Sequence, residues 1–356
     1  MPLTDAFGGH GGIALYNRDT IRAFSNCEAA DSTLALPRIV GKSDVALPSR
    51  LEWRSKAAGS LPRYATEALS AALSFKPDLI WCAHTNLLGL SRFLKHATGA
   101  RLALATYGFE AWDPFPRRFD RWGLGGVDAV MAISRYTAAR FAEWAPFDAG
   151  EVALLPNAID LDAYAEGPKD AALEARYGLE GRKVVMLFGR MHPTERRKGF
   201  DQLIEALPAI RAKRPEVSLL LAGDGGDRRR LEAKVRELGL ADHVVFPGRI
   251  EETEKAAHYR LADAYVMPST QEGFGFVHLE AMACGIPAVA SRCDGAYDAV
   301  RGGELGLLVD PTDMNDIVAQ TLGALDRTRG RPEGLEYFSV PAFERRVCDF
   351  VQRVLR

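Results

Sequence analysis

Ser269-Thr270-Gln271-Glu272-Gly273-Phe274-Gly275-Phe276-Val277-His278-Leu279-Glu280-Ala281-Met282-Ala283-Cys284-Gly285-Ile286-Pro287 leads from a buried apolar strand (264–267) through a polar, glycine-bearing loop into a helix. The pattern starts that helix near Phe274. Its N-terminus presents free backbone N–H groups, and Gly273 and Gly275 carry no side chain to block a ligand. Such an end suits an anion, above all a phosphate. Glu272 sits in the loop, where a carboxylate accepts hydrogen bonds from neutral hydroxyls. Glu280 lies about two turns into the helix, about 10 Å further along at the helical rise. One ligand touching both is long, and a nucleotide sugar has the right parts. Its hexose hydroxyls suit Glu272, its diphosphate the amides of Gly273, Phe274, Gly275 and Phe276, and its ribose hydroxyls Glu280. Two spaced acids alone describe an ordinary surface helix. The strand, the Gly-Phe-Gly loop and the small-residue helix closed by Cys284-Gly285-Ile286-Pro287 set this one apart.

The same alternation of apolar run and helical segment recurs along the chain. Runs at 34–39, 79–83, 102–106, 129–133 and 152–155 lie in the first half, and runs at 184–188, 218–222, 244–246, 264–267, 288–291 and 307–309 in the second. This is the pattern of an α/β protein with doubly wound parallel sheets. At 356 residues the chain suits two domains. The apolar periodicity lapses around 158–182, so the domains are expected at 1–160 and 161–335, with a last helical segment at 336–356. Ligands of such sheets bind beyond the carboxyl ends of the strands, which places the expected site in a cleft between the domains. The opening Met1-Pro2-Leu3-Thr4-Asp5-Ala6-Phe7 reads as the tail of a first strand whose beginning is missing.

Apolar residues make up 47% and charged residues 26%, a globular composition, and the formal charge of -2 gives no electrostatic case for nucleic acid. No apolar run is long enough to span a bilayer. Cys27, Cys82, Cys284, Cys293 and Cys348 are scattered without a C-x-x-C pair. They read as reduced core residues of a cytoplasmic protein.

Further constellations carry chemistry. Gly8-Gly9-His10-Gly11-Gly12-Ile13-Ala14 is a glycine turn between strand and helix, where a diphosphate can approach the backbone. Taken alone it is equally a tight structural turn. It also satisfies G-x-G-x-x-A, which keeps a nicotinamide oxidoreductase as an alternative, with Glu28 or Asp31 as the acidic ribose ligand. Arg190 and Lys198 flank a loop leaving the first strand of the second half, and two cations there neutralise a pyrophosphate without a metal ion. Arg196 and Arg197 beside them read as solvated. His84 lies just past the strand at 79–83, and Ser134 caps a helix. Trp112, Phe115, Arg117, Arg118, Phe119, Arg121 and Trp122 combine aromatic and basic side chains, with Phe141 and Trp144 continuing the bias. Such a patch suits either an anionic membrane carrying a lipid-linked acceptor or a partly buried helix.

Glu272-Gly273-Phe274-Gly275 through Glu280-Ala281, with Ala-Cys-Gly-Ile-Pro following, resembles family 4 of the retaining glycosyltransferases. The resemblance spans nearly the whole chain. It implies the GT-B fold, two Rossmann-like domains facing a central cleft, with the last helix crossing back onto the first domain. It also implies an acceptor-binding first domain, a donor-binding second domain and a retaining, metal-independent hexosyl transfer from a nucleotide-diphosphate sugar to a glycan or lipid-linked hydroxyl, with no cofactor. By the same resemblance Gly11, Gly12 and Ser134 approach the phosphates, Arg190 and Lys198 clamp the diphosphate, and His84 orients or polarises the hexose. Glu272 and Glu280 then hold sugar and ribose, and the backbone of Arg249 and Ile250 meets the base. The leaving phosphate oxygen helps to deprotonate the acceptor. Leu154-Leu155-Pro156-Asn157-Ala158-Ile159-Asp160 resembles the family's interdomain motif, with Ala158 in place of a glycine. Asp5-Ala6-Phe7-Gly8-Gly9, Tyr107-Gly108-Phe109-Glu110-Ala111-Trp112 and Arg301-Gly302-Gly303-Glu304-Leu305-Gly306 look most like bacterial exopolysaccharide enzymes, including mannosyltransferases that use GDP-mannose. UDP-sugars remain the other donor class, and a peripheral contact with the inner membrane is a further expectation. A catalytically silent sugar-nucleotide binding protein is the second alternative.

Overall fold

Every strand among the described residues pairs in parallel. The computed structural model describes residues 1–9, 11–41 and 46–356; His10 of the glycine turn lies outside them. The chain divides into two compact units, Met1–Ala158 with Val340–Arg356, and Ile159–Ser339.

In the first unit β1 (Pro2–Leu3), β2 (Thr33–Pro37) and β3 (Leu51–Trp53) form one sheet. A second sheet contains β4 (Leu79–Cys82), β5 (Arg101–Thr106), β6 (Ala129–Ala132) and β7 (Ala153–Leu154). The amide of Ala83 donates to the Pro2 carbonyl at 3.0 Å and joins the two. β3 escapes the sequence reading because it is short and half-exposed, so it shows no continuous apolar run. The core packs Leu102, Leu104, Val130 and Phe141 against the flanking helices. The C-terminal helix Val340–Leu355 belongs to this unit. Its buried Phe343 and Phe350 pack edge-on against Tyr16 and Trp81, at 5.3 and 5.5 Å between ring centroids.

The expectation that all five cysteines are reduced is overturned for one pair. Cys27, at the end of the helix Gly12–Asn26, is disulfide-bonded to Cys348 of the C-terminal helix, 321 positions away, with Cα atoms 5.4 Å apart. Spacing along the chain carries no trace of a bond that helix packing creates. Cys82 and Cys284 are buried thiols, and Cys293 is an exposed one.

A cavity of about 250 Å³ opens among Pro2, Leu34, Leu36, Ile80, Trp81 and Val351. None of Gly11, Gly12, His84 or Ser134 lines it.

The second unit is a six-stranded sheet in the order β10-β9-β8-β11-β12-β13. Its strands are β8 (Lys183–Phe188), β9 (Val217–Ala222), β10 (Val244–Gly248), β11 (Ala264–Met267), β12 (Ala288–Ser291) and β13 (Leu307–Val309). The strand order reverses direction at β8, with β9 on one side and β11 on the other. Loops leaving the carboxyl ends of β8 and β11 are therefore neighbours, which brings Lys198 beside Glu272. Among the described residues the non-glycines with positive φ are Lys76 and Arg301. Ala158 is not one of them, so its backbone makes no demand for glycine.

Candidate active site

The helix after β11 spans Phe276–Ala283. It begins two residues later than the sequence pattern suggests, because Gly275 takes the left-handed conformation at φ 77, ψ 53 and cannot continue a right-handed helix. A Cβ at Gly275 would also stand 2.8 Å from His278 Nδ1. Glu280 consequently lies just over one turn into the helix, about 6 Å along it, and not two turns.

Glu272 is half-buried, and its carboxylate meets the Lys198 ammonium at 3.0 Å. The Gly273 amide donates to its other oxygen at 3.2 Å. Burial opposes ionisation of Glu272, but the Lys198 charge and hydrogen bond outweigh it and hold the carboxyl below the usual carboxylate range. Lys198 closes the 3₁₀ segment Pro193–Lys198, where His192 Nδ1 accepts from the Thr194 amide. Arg190 is exposed and pairs with Glu195 of the same loop. Arg196 is exposed, as expected, and its guanidinium also reaches buried Asp227 at 3.0 Å.

Glu280 is 1% exposed and sits in a cluster that sequence reading missed. Its Oε1 accepts from Tyr164 Oη at 2.9 Å and from Lys255 Nζ at 3.2 Å. Its Oε2 accepts from Tyr259 Oη at 2.6 Å. Burial nonetheless pushes its carboxyl up, against the pull of the Lys255 charge and the two phenols. A carboxylate offers about four acceptor positions; three are taken, so a ligand hydroxyl competes for what remains. Two isolated tyrosines and a lysine in the acidic run 251–255 have no pattern that would reveal this cluster. Glu252 Oε1 stands 2.8 Å from the same Tyr164 Oη and shares its single hydroxyl proton with Glu280, and Lys255 pairs with Glu252 at 3.1 Å.

Arg249 and Ile250 follow β10. The Arg249 side chain is exposed and 3.6 Å from Glu251, while Ile250 is buried. The Gly223 amide donates to the Gly248 carbonyl and ties their loop to the end of β9.

In the first unit, Gly11 is the N-cap of the helix Gly12–Asn26 at φ 94, with no atom of the described residues beyond its chain neighbours within 4 Å of where a Cβ would stand. His84 is half-buried, and its Nδ1 accepts from the Asn86 amide at 3.1 Å. Burial, with the nearby Arg38 charge, brings its pKa down to about 4. The ring is neutral at ordinary pH, and with Nδ1 accepting, its proton sits on Nε2 as a donor. Ser134 is buried and caps its helix: its Oγ accepts from the Thr137 amide at 3.0 Å. Of the aromatic-basic patch, Trp112, Phe115 and Phe141 are core residues. Arg117, Arg118, Phe119, Arg121 and Trp122 are exposed, with Phe119 stacked on Trp122 and Arg92 lying 4.1 Å over the Trp122 ring.

Glu28 and Asp31, the acids an oxidoreductase would need, precede β2 and so lie at the wrong end of that strand for a dinucleotide ribose. Among the described residues no group of three or more His, Cys, Asp or Glu side chains is gathered to hold a metal ion, and no helix is long and apolar enough to cross a membrane.

Residues 172–331 match the family model of the glycosyl transferases group 1, and residues 10–163 that of glycosyltransferase family 4. A GDP-mannose-dependent alpha-(1-6)-phosphatidylinositol monomannoside mannosyltransferase of Mycolicibacterium smegmatis is 38% identical over 261 residues, 70% of this chain and 67% of the relative. A D-inositol 3-phosphate glycosyltransferase of Catenulispora acidiphila is 35% identical over 57% of this chain and 49% of its own length. The chain thus spans about two thirds or less of these curated relatives. Anabaena HepE, solved with UDP, superposes with a TM-score of 0.76 at 22% identity and covers 99% of both chains. The apo lipopolysaccharide outer core galactosyltransferase WaaB gives 0.72 at 19% identity, over 99% of this chain and 100% of its own. At such identities these two structures speak to fold alone.

Proposed function

The chain belongs to the family 4 glycosyltransferases, with their two-domain Rossmann-like GT-B fold, and on that premise we propose that it transfers a hexose with retention from a nucleotide-diphosphate sugar to a hydroxyl acceptor. The observation that carries this reading is the second unit's array: Glu272 paired with Lys198, the helix start at Phe276 that no side chain caps, and Glu280 buried four residues further on. In it Glu272 holds hexose hydroxyls and Glu280 the ribose. The Gly273, Phe274, Gly275 and Phe276 segment, with Arg190 and Lys198, takes the diphosphate, and Arg249 and Ile250 lie at the base. As the glycosidic bond breaks, negative charge grows on the leaving diphosphate, and these dipoles and cations stabilise it electrostatically without a metal ion. Arg190 must leave Glu195 to take part.

The second unit is then the donor domain and the first the acceptor domain, where Gly11 and Gly12 offer an amide turn and His84 a neutral Nε2–H donor to the sugar. Ser134 acts chiefly by holding its helix. GDP-mannose is the favoured donor, since the 38% identical relative is named as GDP-mannose-dependent, with UDP-sugars as the other class. That relative's name also favours a lipid-linked, inositol-bearing acceptor in surface glycolipid or polysaccharide synthesis. Exposed Arg117, Arg118, Phe119, Arg121 and Trp122 suit a peripheral contact with an anionic membrane, from a cytoplasmic location.

Hydrolysis of a panel of sugar nucleotides without acceptor tests the reading. Release of GDP or UDP, reduced about 100- to 1,000-fold but still measurable in Glu272→Ala, is the expected outcome, and turnover of none of the panel defeats it.

A further inference from the structure

Both polar groups of the Glu272 main chain are held by two consecutive residues in the loop after β12. Its N–H donates to Asp294 Oδ2 at 2.8 Å, and its carbonyl accepts from the Gly295 amide at 2.8 Å. Asp294 Oδ2 also accepts from Ser269 Oγ at 2.7 Å, and Oδ1 from the Ala296 amide at 3.0 Å. Asp294 and Ser269 are buried, at 2% and 1% exposure. The loops meet backbone to backbone: a Cβ at Gly295 would stand 2.0 Å from the Gly273 carbonyl oxygen.

All three donors address the carboxyl as an acceptor. An ionised carboxylate accepts all of them on its two oxygens, whereas an amide has one acceptor oxygen and turns a donor toward the other set. A buried carboxylate is expensive, and here burial pushes Asp294 up to about 7, with the Ser269 and Ala296 hydrogen bonds opposing. Its bonds go to the loop that carries Glu272 and to the start of its own short helix, Ala296–Ala299.

We propose that Asp294, with Gly295, is a two-point clamp on the Glu272 main chain and thereby the positioning residue that sets the Glu272 carboxylate for the donor hexose. The clamp rests on the role given to Glu272 above. It acts mainly on the sugar end, because the ribose is assigned to Glu280 and the diphosphate is shared by Arg190, Lys198 and the Gly273 to Phe276 segment, of which the clamp touches only the start. Releasing it lets Glu272 move by an ångström or so, which costs about 10- to 100-fold in turnover when a reacting group is misplaced.

The test uses the full chain with Asp294→Asn and Asp294→Ala, reading acceptor-free hydrolysis of GDP-mannose and UDP-glucose, calorimetric affinity for GDP and UDP, and a thermal melt. The clamp requires kcat to fall about 10- to 100-fold while nucleoside diphosphate affinity stays within about threefold. It also requires Asp294→Asn combined with Glu272→Ala to be no worse than Glu272→Ala alone, since the two act as one unit. Additive losses, or nucleoside diphosphate affinity falling in step with turnover, overturn it. If Asp294→Ala does not fold, the near-isosteric Asn variant carries the comparison. A wild-type chain that neither binds nor hydrolyses any of these nucleotides defeats the glycosyltransferase reading of the site and the clamp with it. An active wild type equalled by Asp294→Asn defeats the clamp alone.

Discussion

Glu272 and Lys198, 74 positions apart, meet at 3.0 Å because their loops leave adjacent strands of one parallel sheet. The pair holds the half-buried carboxyl toward its charged form and fixes an ammonium beside the helix start proposed to take the diphosphate. Both partners are about one-fifth exposed, so the pair contributes little to folding, about 1 kcal/mol or less.

Lys198→Ala is therefore expected to melt near the wild type yet lose about 100- to 1,000-fold in kcat/KM. The lysine depresses the Glu272 pKa, so its removal moves the acid limb of the kcat/KM profile to higher pH. In the wild type the charged pair persists above the ordinary carboxylate range and is lost as pH falls below it. A pH–rate profile of both proteins checks the sign, and an unmoved limb contradicts it.

For Glu280 the cluster predicts a split between two conservative changes. Glu280→Gln cannot accept from Tyr164, Lys255 and Tyr259 together, and it should weaken GDP or UDP binding at least 10-fold, in line with losing a charge-assisted bond. Tyr164→Phe frees one acceptor position and should leave that affinity within about threefold, with a stability cost of about 1 kcal/mol. Calorimetric titration distinguishes them; equal losses would mean that Tyr164, not Glu280, meets the ribose.

His84 should titrate with a midpoint near 4. The depressed value means that the folded state resists protonation. Stability from this group is thus complete above the ordinary histidine value of 6.5 and drains away as pH falls toward 4. Proton NMR of the ring measures the midpoint, and a value of 6 or higher would return the imidazole to a titrating role.

The Cys27–Cys348 bond closes a loop of 321 positions, which by the chain-entropy estimate contributes at most about 6 kcal/mol. Cys27→Ser with Cys348→Ser, or a reductant, should lower the melting temperature of the first unit and leave that of the second unchanged. A melt indifferent to reductant would show that packing of Phe343 and Phe350 alone secures the C-terminal helix.

Much was readable from neighbouring residues. Parallel strands buried on both faces are continuous apolar runs, so β2, β9, β11 and β12 were visible, while the half-exposed β7 and β13 showed only through their apolar letters. β3, half-exposed and short, was not. The glycines around Glu272 announced a loop and a helix start, but nothing in the letters says that Gly275 adopts φ 77 and delays the helix. Composition likewise grouped Trp112 and Phe115 with Trp122, and only packing made the first two core and the last surface.

What the sequence determined by itself is local: alternation of strand and helix, the glycine turns, and the acidic and basic residues beside them. Tertiary structure alone decided the long-range pairings, Lys198 with Glu272 over 74 positions, Tyr164 with Glu280 over 116 and Cys27 with Cys348 over 321. The reason is physical. Backbone propensity and periodicity act over a turn or a strand, whereas these partners meet only after sheet order and helix packing have brought distant loops together.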